Sequence, residues 1–343
     1  MTSMTAGLPV AGLPIAGLSH VRGTTDVPLS TQTVGKLLED AAARWPDKPA
    51  AVFREQGIRW SWRELQAEVD ALAAALQQLG LAKGDRIGIW APNRSEWVLT
   101  QFATAKLGLI LVNINPAYRL SELEYALNVS GCRAIVSAEK LKASQYLDML
   151  AALAPELASC APGQLKAAKL PQLQHVIRLG SAKSPGMLNF DELLAQGRGK
   201  RFDAPALDCL EPINIQFTSG TTGNPKGATL SHHNIVNNAR FVAMAMRFSD
   251  VDRLCIPVPL YHCFGMVMSV LSCTATGATM VFPGESFEPL ATLSAASEER
   301  CTALHGVPTM FIAELDHPEF ARFDLSSLRT GIMAGSPCPI ETM

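Results

Sequence analysis

Phe217-Thr218-Ser219-Gly220-Thr221-Thr222-Gly223-Asn224-Pro225-Lys226-Gly227 places four hydroxyl side chains, three glycines and one lysine within eleven residues. The stretch follows a strand-like run at residues 213–217 and precedes a helical pattern that opens near Ser231. Glycine lets the backbone approach a ligand closely and turn its N–H groups inward. Hydroxyls add short donors to phosphate oxygens, and lysine adds a mobile positive charge. The composition fits a cradle for a polyphosphate. It is not the Gly-x4-Gly-Lys-Ser/Thr loop, because Pro225 and Gly227 flank Lys226 and no hydroxyl follows the lysine to hold Mg²⁺. A Gly/Ser/Thr-rich surface loop has the same composition, so composition alone leaves that reading open.

Outward from this stretch, apolar strands alternate with amphipathic helices. On its N-terminal side, Val34, Leu37, Leu38 and Ala41 fall at helical spacing, and residues 50–53 and 57–60 read as a hairpin. Ser61 and Glu64 form a capping box for a helix whose apolar face is Leu65, Val69, Leu72, Leu76 and Leu79. Strands are expected at 86–90, 109–113, 132–137 and 176–179, with helices at 95–108, after a Ser121-x-x-Glu124 cap, and at 139–157. Residues 158–202 read as looser connecting structure. On the C-terminal side, helices are expected at 232–246, 264–275, 289–300 and 309–315, and strands at 254–258, 278–282, 303–307 and 331–334. Mostly apolar strands, each followed by an amphipathic helix, predict an α/β fold of two doubly wound, mostly parallel sheets packed together. Ligands of such sheets bind outside the carboxyl ends of the strands, where the 217–227 stretch falls.

Length and composition bound the answer further. The 343 residues are enough for about two domains' worth of core. With 48% hydrophobic and 17% charged residues, the chain reads as globular rather than disordered. A formal charge of -2 gives no reason to expect nucleic acid as a partner. Eight cysteines and seven histidines are scattered without zinc spacing, so no metal site is expected, and the thiols read as reduced, in a cytoplasmic setting. The apolar repeats Ala6-Gly7-Leu8-Pro9, Ala11-Gly12-Leu13-Pro14 and Ala16-Gly17-Leu18-Ser19 lack the basic start of a signal peptide, and no segment is long and apolar enough to span a bilayer. Residues 1–28 are therefore expected to be a flexible extension, with an organelle-targeting role left open.

The order Thr-Ser-Gly-Thr-Thr-Gly-x-Pro-Lys-Gly resembles the signature of the adenylate-forming, AMP-binding enzymes: acyl-CoA synthetases, luciferases and peptide-synthetase adenylation domains. Nine positions match with none out of order. Asn113-Ile114-Asn115-Pro116-Ala117-Tyr118-Arg119 resembles a stretch typical of the fatty-acyl-CoA synthetases within that superfamily, although a plain turn after a strand explains it equally. The resemblance runs from about Leu29 to the end. It implies a truncated N-terminal domain over 29–343: a first subdomain at 81–210, a second made of 29–80 with 228–343, and the phosphate loop 211–227 between.

The resemblance also implies roles. Thr218, Ser219, Thr221 and Thr222 would bind phosphate by hydroxyl, Gly220 and Gly223 by backbone, and Lys226 by charge. Gly335, Ser336 and Pro337 would lie against the adenine. His262, within Pro259-Leu260-Tyr261-His262-Cys263-Phe264-Gly265, would stand beside the acyl group and the adenylate as a catalytic and substrate-binding residue. Gly306 would line the acyl tunnel, whereas His305 reads as a strand-end residue. The implied partners are ATP with Mg²⁺, a medium- or long-chain fatty acid and coenzyme A, and a homodimer is compatible with them. No Tyr-Gly-x-Thr-Glu segment, whose glutamate would bind Mg²⁺, and no later catalytic lysine are present, so the Mg²⁺ ligand is expected beyond residue 343 and this chain alone is expected not to turn over. Two other readings use the same residues: an adenylation enzyme with another acceptor, such as a carrier-protein thiol or oxygen, and a non-catalytic module that binds nucleotide or acyl group. His232-His233 do not share a helix face, so Ser231 is read as an N-cap rather than part of a zinc site. Asp250, Asp252 and Arg253 read as a solvated turn.

Overall fold

The computed structural model describes residues 25–218 and 225–343. The first half of the chain forms α1 (Val34–Arg44), β1 (Pro49–Phe53), β2 (Ile58–Ser61), α2 (Trp62–Gln78), β3 (Arg86–Trp90), α3 (Ser95–Leu107) and β4 (Ile110–Asn113). Next come α4 (Leu120–Ser130), β5 (Cys132–Ser137), β6 (Lys140–Leu141), β7 (Ser144–Gln145), α5 (Tyr146–Leu153), β8 (His175–Arg178), β9 (Leu188–Asn189) and α6 (Phe190–Gly197). The remainder holds β10 (Pro212–Thr218), β11 (Lys226–Ser231), α7 (His232–Ala245), β12 (Arg253–Cys255), α8 (Ser272–Thr276) and β13 (Thr279–Phe282). It closes with α9 (Pro289–Glu298), β14 (Ala303–Gly306), α10 (Pro308–Leu315) and β15 (Thr330–Met333).

These strands build the two expected sheets. The larger has the order β11-β10-β4-β3-β5-β8-β9, and the smaller β15-β14-β12-β13-β1-β2. All neighbours are parallel except the edge pairs β10–β11 and β1–β2. A two-residue hairpin, β6–β7, stands apart.

Helix α3 shows what joins the layers. All thirteen of its residues are buried, because it packs on α1 and α2 while Gln101 on it reaches the second layer, donating from Nε2 to Met266 O at 3.1 Å. Trp97, Leu99 and Phe102 are at most 1% exposed, and each contributes roughly 1.5–3 kcal/mol by burial. Lys106 on the same helix is buried with its ammonium 2.5 Å from Asp70, and its stem passes where a side chain on Gly35 would sit. One continuous apolar core runs through both sheets.

Local signals held where they were local. Ser61 and Glu64 close the capping box of α2, and the Ser231 side chain accepts from Asn234 N at the start of α7. Other expectations need correction. The long helix at 139–157 is instead the β6–β7 hairpin, the short α5 and a 3₁₀ turn. The cap of α4 lies two residues earlier than supposed, at Arg119 rather than Ser121: Glu122, not Glu124, reaches back to the amide of Arg119. The stretch 264–275 is wound as a π-helix over Phe264–Leu271 before α8 begins. The helix after the loop opens at Ser231 as expected, but the residues leading to it, Lys226–Ser231, form a strand, β11, that pairs with β10 and was not expected. Asp252 is not solvated but 2% exposed, and Arg329 binds its carboxylate at 2.6 Å while Thr302 donates to it at 2.7 Å. The N-terminal repeats fall outside the described residues, and the chain is tied down by Ser30, whose amide donates to Asn237 Oδ1 on α7 at 2.7 Å.

Candidate functional site

Three adjacent strands of the smaller sheet, β15, β14 and β12, run parallel, so the segments after them emerge side by side. Residues 256–262 follow β12, Gly306 ends β14, and residues 334–337 follow β15. That edge is where parallel sheets leave room for ligands. A 620 Å³ depression over Glu156 and residues 163–174 lies instead at the amino ends of β5 and β8, so we do not assign it to this site.

His262 sits in a tight turn made by glycine. A methyl group on Gly265 would lie 2.3 Å from Pro259 O, so only glycine lets the chain double back there. The amide of Phe264 donates to His262 Nδ1 at 3.1 Å. Partial burial lowers the pKa of the ring, so the imidazole is neutral at pH 7. With Nδ1 accepting, the ring proton is on Nε2, and no protein group among the described residues accepts it. His262 thus presents a neutral donor at the edge of the sheet.

Gly306 pairs with Met333 in the β14–β15 ladder. A side chain there would meet the Phe311 ring of α10 at 2.8 Å, so its small size already serves packing. Gly335 has φ +98°, a left-handed backbone that requires glycine, and the exposed Gly335, Ser336 and Pro337 turn beside Val307. The smaller sheet thus brings His262, Gly306 and residues 335–337 to one edge.

The larger sheet supplies the rest. Thr218 and Lys226 are register partners across the β10–β11 hairpin, both exposed, with Thr218 Oγ1 donating to Lys226 O at 3.5 Å. Ser219, Gly220, Thr221, Thr222 and Gly223 lie outside the described residues.

A polar network that sequence reasoning missed connects this hairpin to the His262 turn. Asn113, at the end of β4, donates from Nδ2 to Tyr261 O at 2.8 Å and to Met266 Sδ at 3.2 Å. Gln216 on β10 donates to the same sulfur at 3.1 Å. Asn214 donates to Asn113 Oδ1 at 2.9 Å. Met266, 1% exposed, therefore receives groups from two strands of the other sheet. The available signal was the polar alternation Asn214, Gln216 inside an otherwise apolar strand. Beside Tyr261, an apolar cavity of about 120 Å³ opens between Ala91, Pro116, Pro257, Phe287 and Met310. Among the described residues, no group of three or more His, Cys, Asp or Glu side chains could hold a metal ion.

The sequence profile described as AMP-binding enzyme matches residues 38–343. The medium-chain acyl-CoA ligase ACSF2, mitochondrial, of Danio rerio is 46% identical, over 95% of this chain and 55% of that protein. Its counterpart in Mus musculus is 46% identical, over 99% of this chain and 56% of its own length. The chain thus spans a little over half the length of these relatives. Among solved structures, an anthranilate CoA ligase in complex with anthranoyl-AMP superposes with a TM-score of 0.81 at 25% identity, over 93% of this chain and 57% of that one.

Proposed function

Because the chain belongs to the AMP-binding enzyme family, we propose that the full-length protein activates a medium- or long-chain fatty acid with ATP and passes the acyl group to coenzyme A. The supporting observation is the convergence of the Thr218–Lys226 hairpin with the His262 turn through Asn113, Gln216 and Met266. It ties the strand that leads into the segment suited to phosphates to the turn that carries the neutral donor.

The fatty carboxylate attacks the α-phosphorus of ATP, forming an acyl-adenylate as pyrophosphate leaves. The CoA thiol, losing its proton, then attacks the acyl carbonyl and expels AMP. The protein's part in the first step is positioning and charge stabilisation. Thr218, Ser219, Thr221 and Thr222 donate hydroxyls to the β- and γ-phosphates, Gly220 and Gly223 donate backbone N–H groups, and Lys226 supplies charge. Gly335, Ser336 and Pro337 lie against the adenine, with the left-handed Gly335 putting no side chain in the way. His262 Nε2–H stands toward the carboxylate and the adenylate, and the acyl chain runs by Gly306. The apolar cavity beside Tyr261 suits a non-polar part of the acid or the thiol. The described residues offer no group of three or more His, Cys, Asp or Glu side chains for a metal ion, so no step is assigned through Mg²⁺. No helix among the described residues is long and apolar enough to cross a membrane. The cytoplasmic assignment stands as a proposal beside relatives whose names include mitochondrial, and imaging of a tagged full-length protein decides it.

The test is acid-dependent exchange of labelled pyrophosphate into ATP by the full-length protein, followed by thioester formation with CoA. Exchange with octanoate to palmitate and product with CoA are expected. Transfer only to a carrier-protein thiol, or nucleotide binding without exchange, would overturn the proposal. The 343-residue chain alone is expected to give no exchange, and a rate near that of the full-length protein would contradict that.

A further inference from the structure

His305 is the penultimate residue of β14 and 0% exposed, yet it carries two ring nitrogens that need partners. Nε2 lies 3.2 Å from Met246 Sδ, and Nδ1 lies 2.9 Å from Ser269 Oγ. Burial lowers the pKa to about 3, so the ring is neutral and holds one proton. The Ser269 hydroxyl has one proton and donates it to Phe264 O, a carbonyl that can only accept, so the imidazole proton is on Nδ1 and donates to Ser269 Oγ, while Nε2 rests against the Met246 sulfur. The same hydroxyl lies 2.9 Å from Phe264 O, five residues back, so the serine sits where the helix is wound one residue wide. The Phe264 ring also packs on the imidazole, centroids 5.2 Å apart.

The wide turn has consequences at both ends. Its first residues are continuous with the His262 turn, since Gly265 N and Met266 N both donate to His262 O. It also presents the Met266 sulfur to Asn113 and Gln216, and Gln216 is two residues before Thr218. π-Helical turns are rare and occur frequently at functional sites.

We propose that His305 is a positioning residue for the acyl-activation reaction, a role that rests on the function proposed above. Through Ser269 it fixes the π-helical turn, and the turn sets both His262 and, through Met266, the strand that leads to the phosphate loop. His305 touches no substrate in this role. It sets the distance between the carboxylate site and the phosphate site.

The experiment is steady-state pyrophosphate exchange with full-length Ser269→Ala, His305→Leu and His305→Gln, each checked for a native melting transition. Misplacing reacting groups acts on the transition state, so kcat should fall while ATP binding stays intact. Ser269→Ala and His305→Leu are expected to lower kcat about tenfold or more, with KM for ATP changed by less than about twofold. His305→Gln should recover most of the loss, because its amide N–H can donate to Ser269 Oγ in place of the imidazole. Equal losses in the Leu and Gln variants, or a loss confined to KM for ATP, would overturn the role. If His305→Leu does not fold, Ser269→Ala, which deletes one oxygen, decides the matter. Absence of exchange in the wild-type protein with every acid instead removes the proposed function, and this role with it.

Discussion

At the scale of single residues, environment rather than residue type sets behaviour, as two ionisable groups show. Lys226 is exposed on β11, away from the core, so its removal should spare folding. In the full-length protein, Lys226→Ala is expected to lower the rate of adenylate formation on the order of 10²-fold, with an unchanged melting temperature; parallel losses of both would contradict the phosphate role. Glu314 on α10 is the opposite case. It is 3% exposed, and burial pushes its pKa from 4.5 up to about 8. The folded state keeps the proton where the unfolded chain has already lost it. Stability should therefore fall as pH rises from about 4.5 to about 8 and level off above that. The loss is on the order of a few kcal/mol. Glu314→Gln should flatten this slope and stabilise the protein at pH 7, as read by urea unfolding at several pH values.

Elements were legible in the sequence in proportion to how local their causes are. Ser231 caps α7 through its own neighbour Asn234, and Ser231→Ala is expected to cost about 1 kcal/mol, measurable as a lower midpoint in urea. The parallel strands and their helices could be read because burial on both faces leaves continuous apolar runs. β11 could not, because Lys226–Ser231 is largely exposed and carries no apolar alternation; only its pairing with β10 makes it a strand. The π-helical turn was hidden for a similar reason, since its partner His305 lies 36 residues away. Asp252 resembled a surface turn because nothing nearby reveals Arg329, 77 residues on. For the candidate site, motif residues on both sheets could be named from the sequence, and among them His262, Gly306 and residues 335–337 meet at one sheet edge. The Asn113, Gln216 and Met266 contacts could not be read, because they belong to no single segment.

At the scale of the whole molecule, two sheets that could move apart are held by a shared core and by a few directional contacts near the site. Between β10 and β11, Thr218 and Lys226 are ladder partners, so the two ends of the seven residues between them are already held together. In polymer terms, the strands define the mouth of a ring, and the entropy of closing it changes only with the logarithm of its contour. Doubling the ring with seven glycines and serines after Asn224 should lower stability by only about 0.6 kcal/mol. The same insertion should abolish adenylate formation, because phosphate contacts depend on where each hydroxyl stands, not on whether the ring closes. A large loss of stability in urea would show that the mouth is not held as the ladder implies. The hairpin thus uncouples the thermodynamics of the scaffold from the length of the segment it closes, leaving that length free to be set by whatever the segment binds.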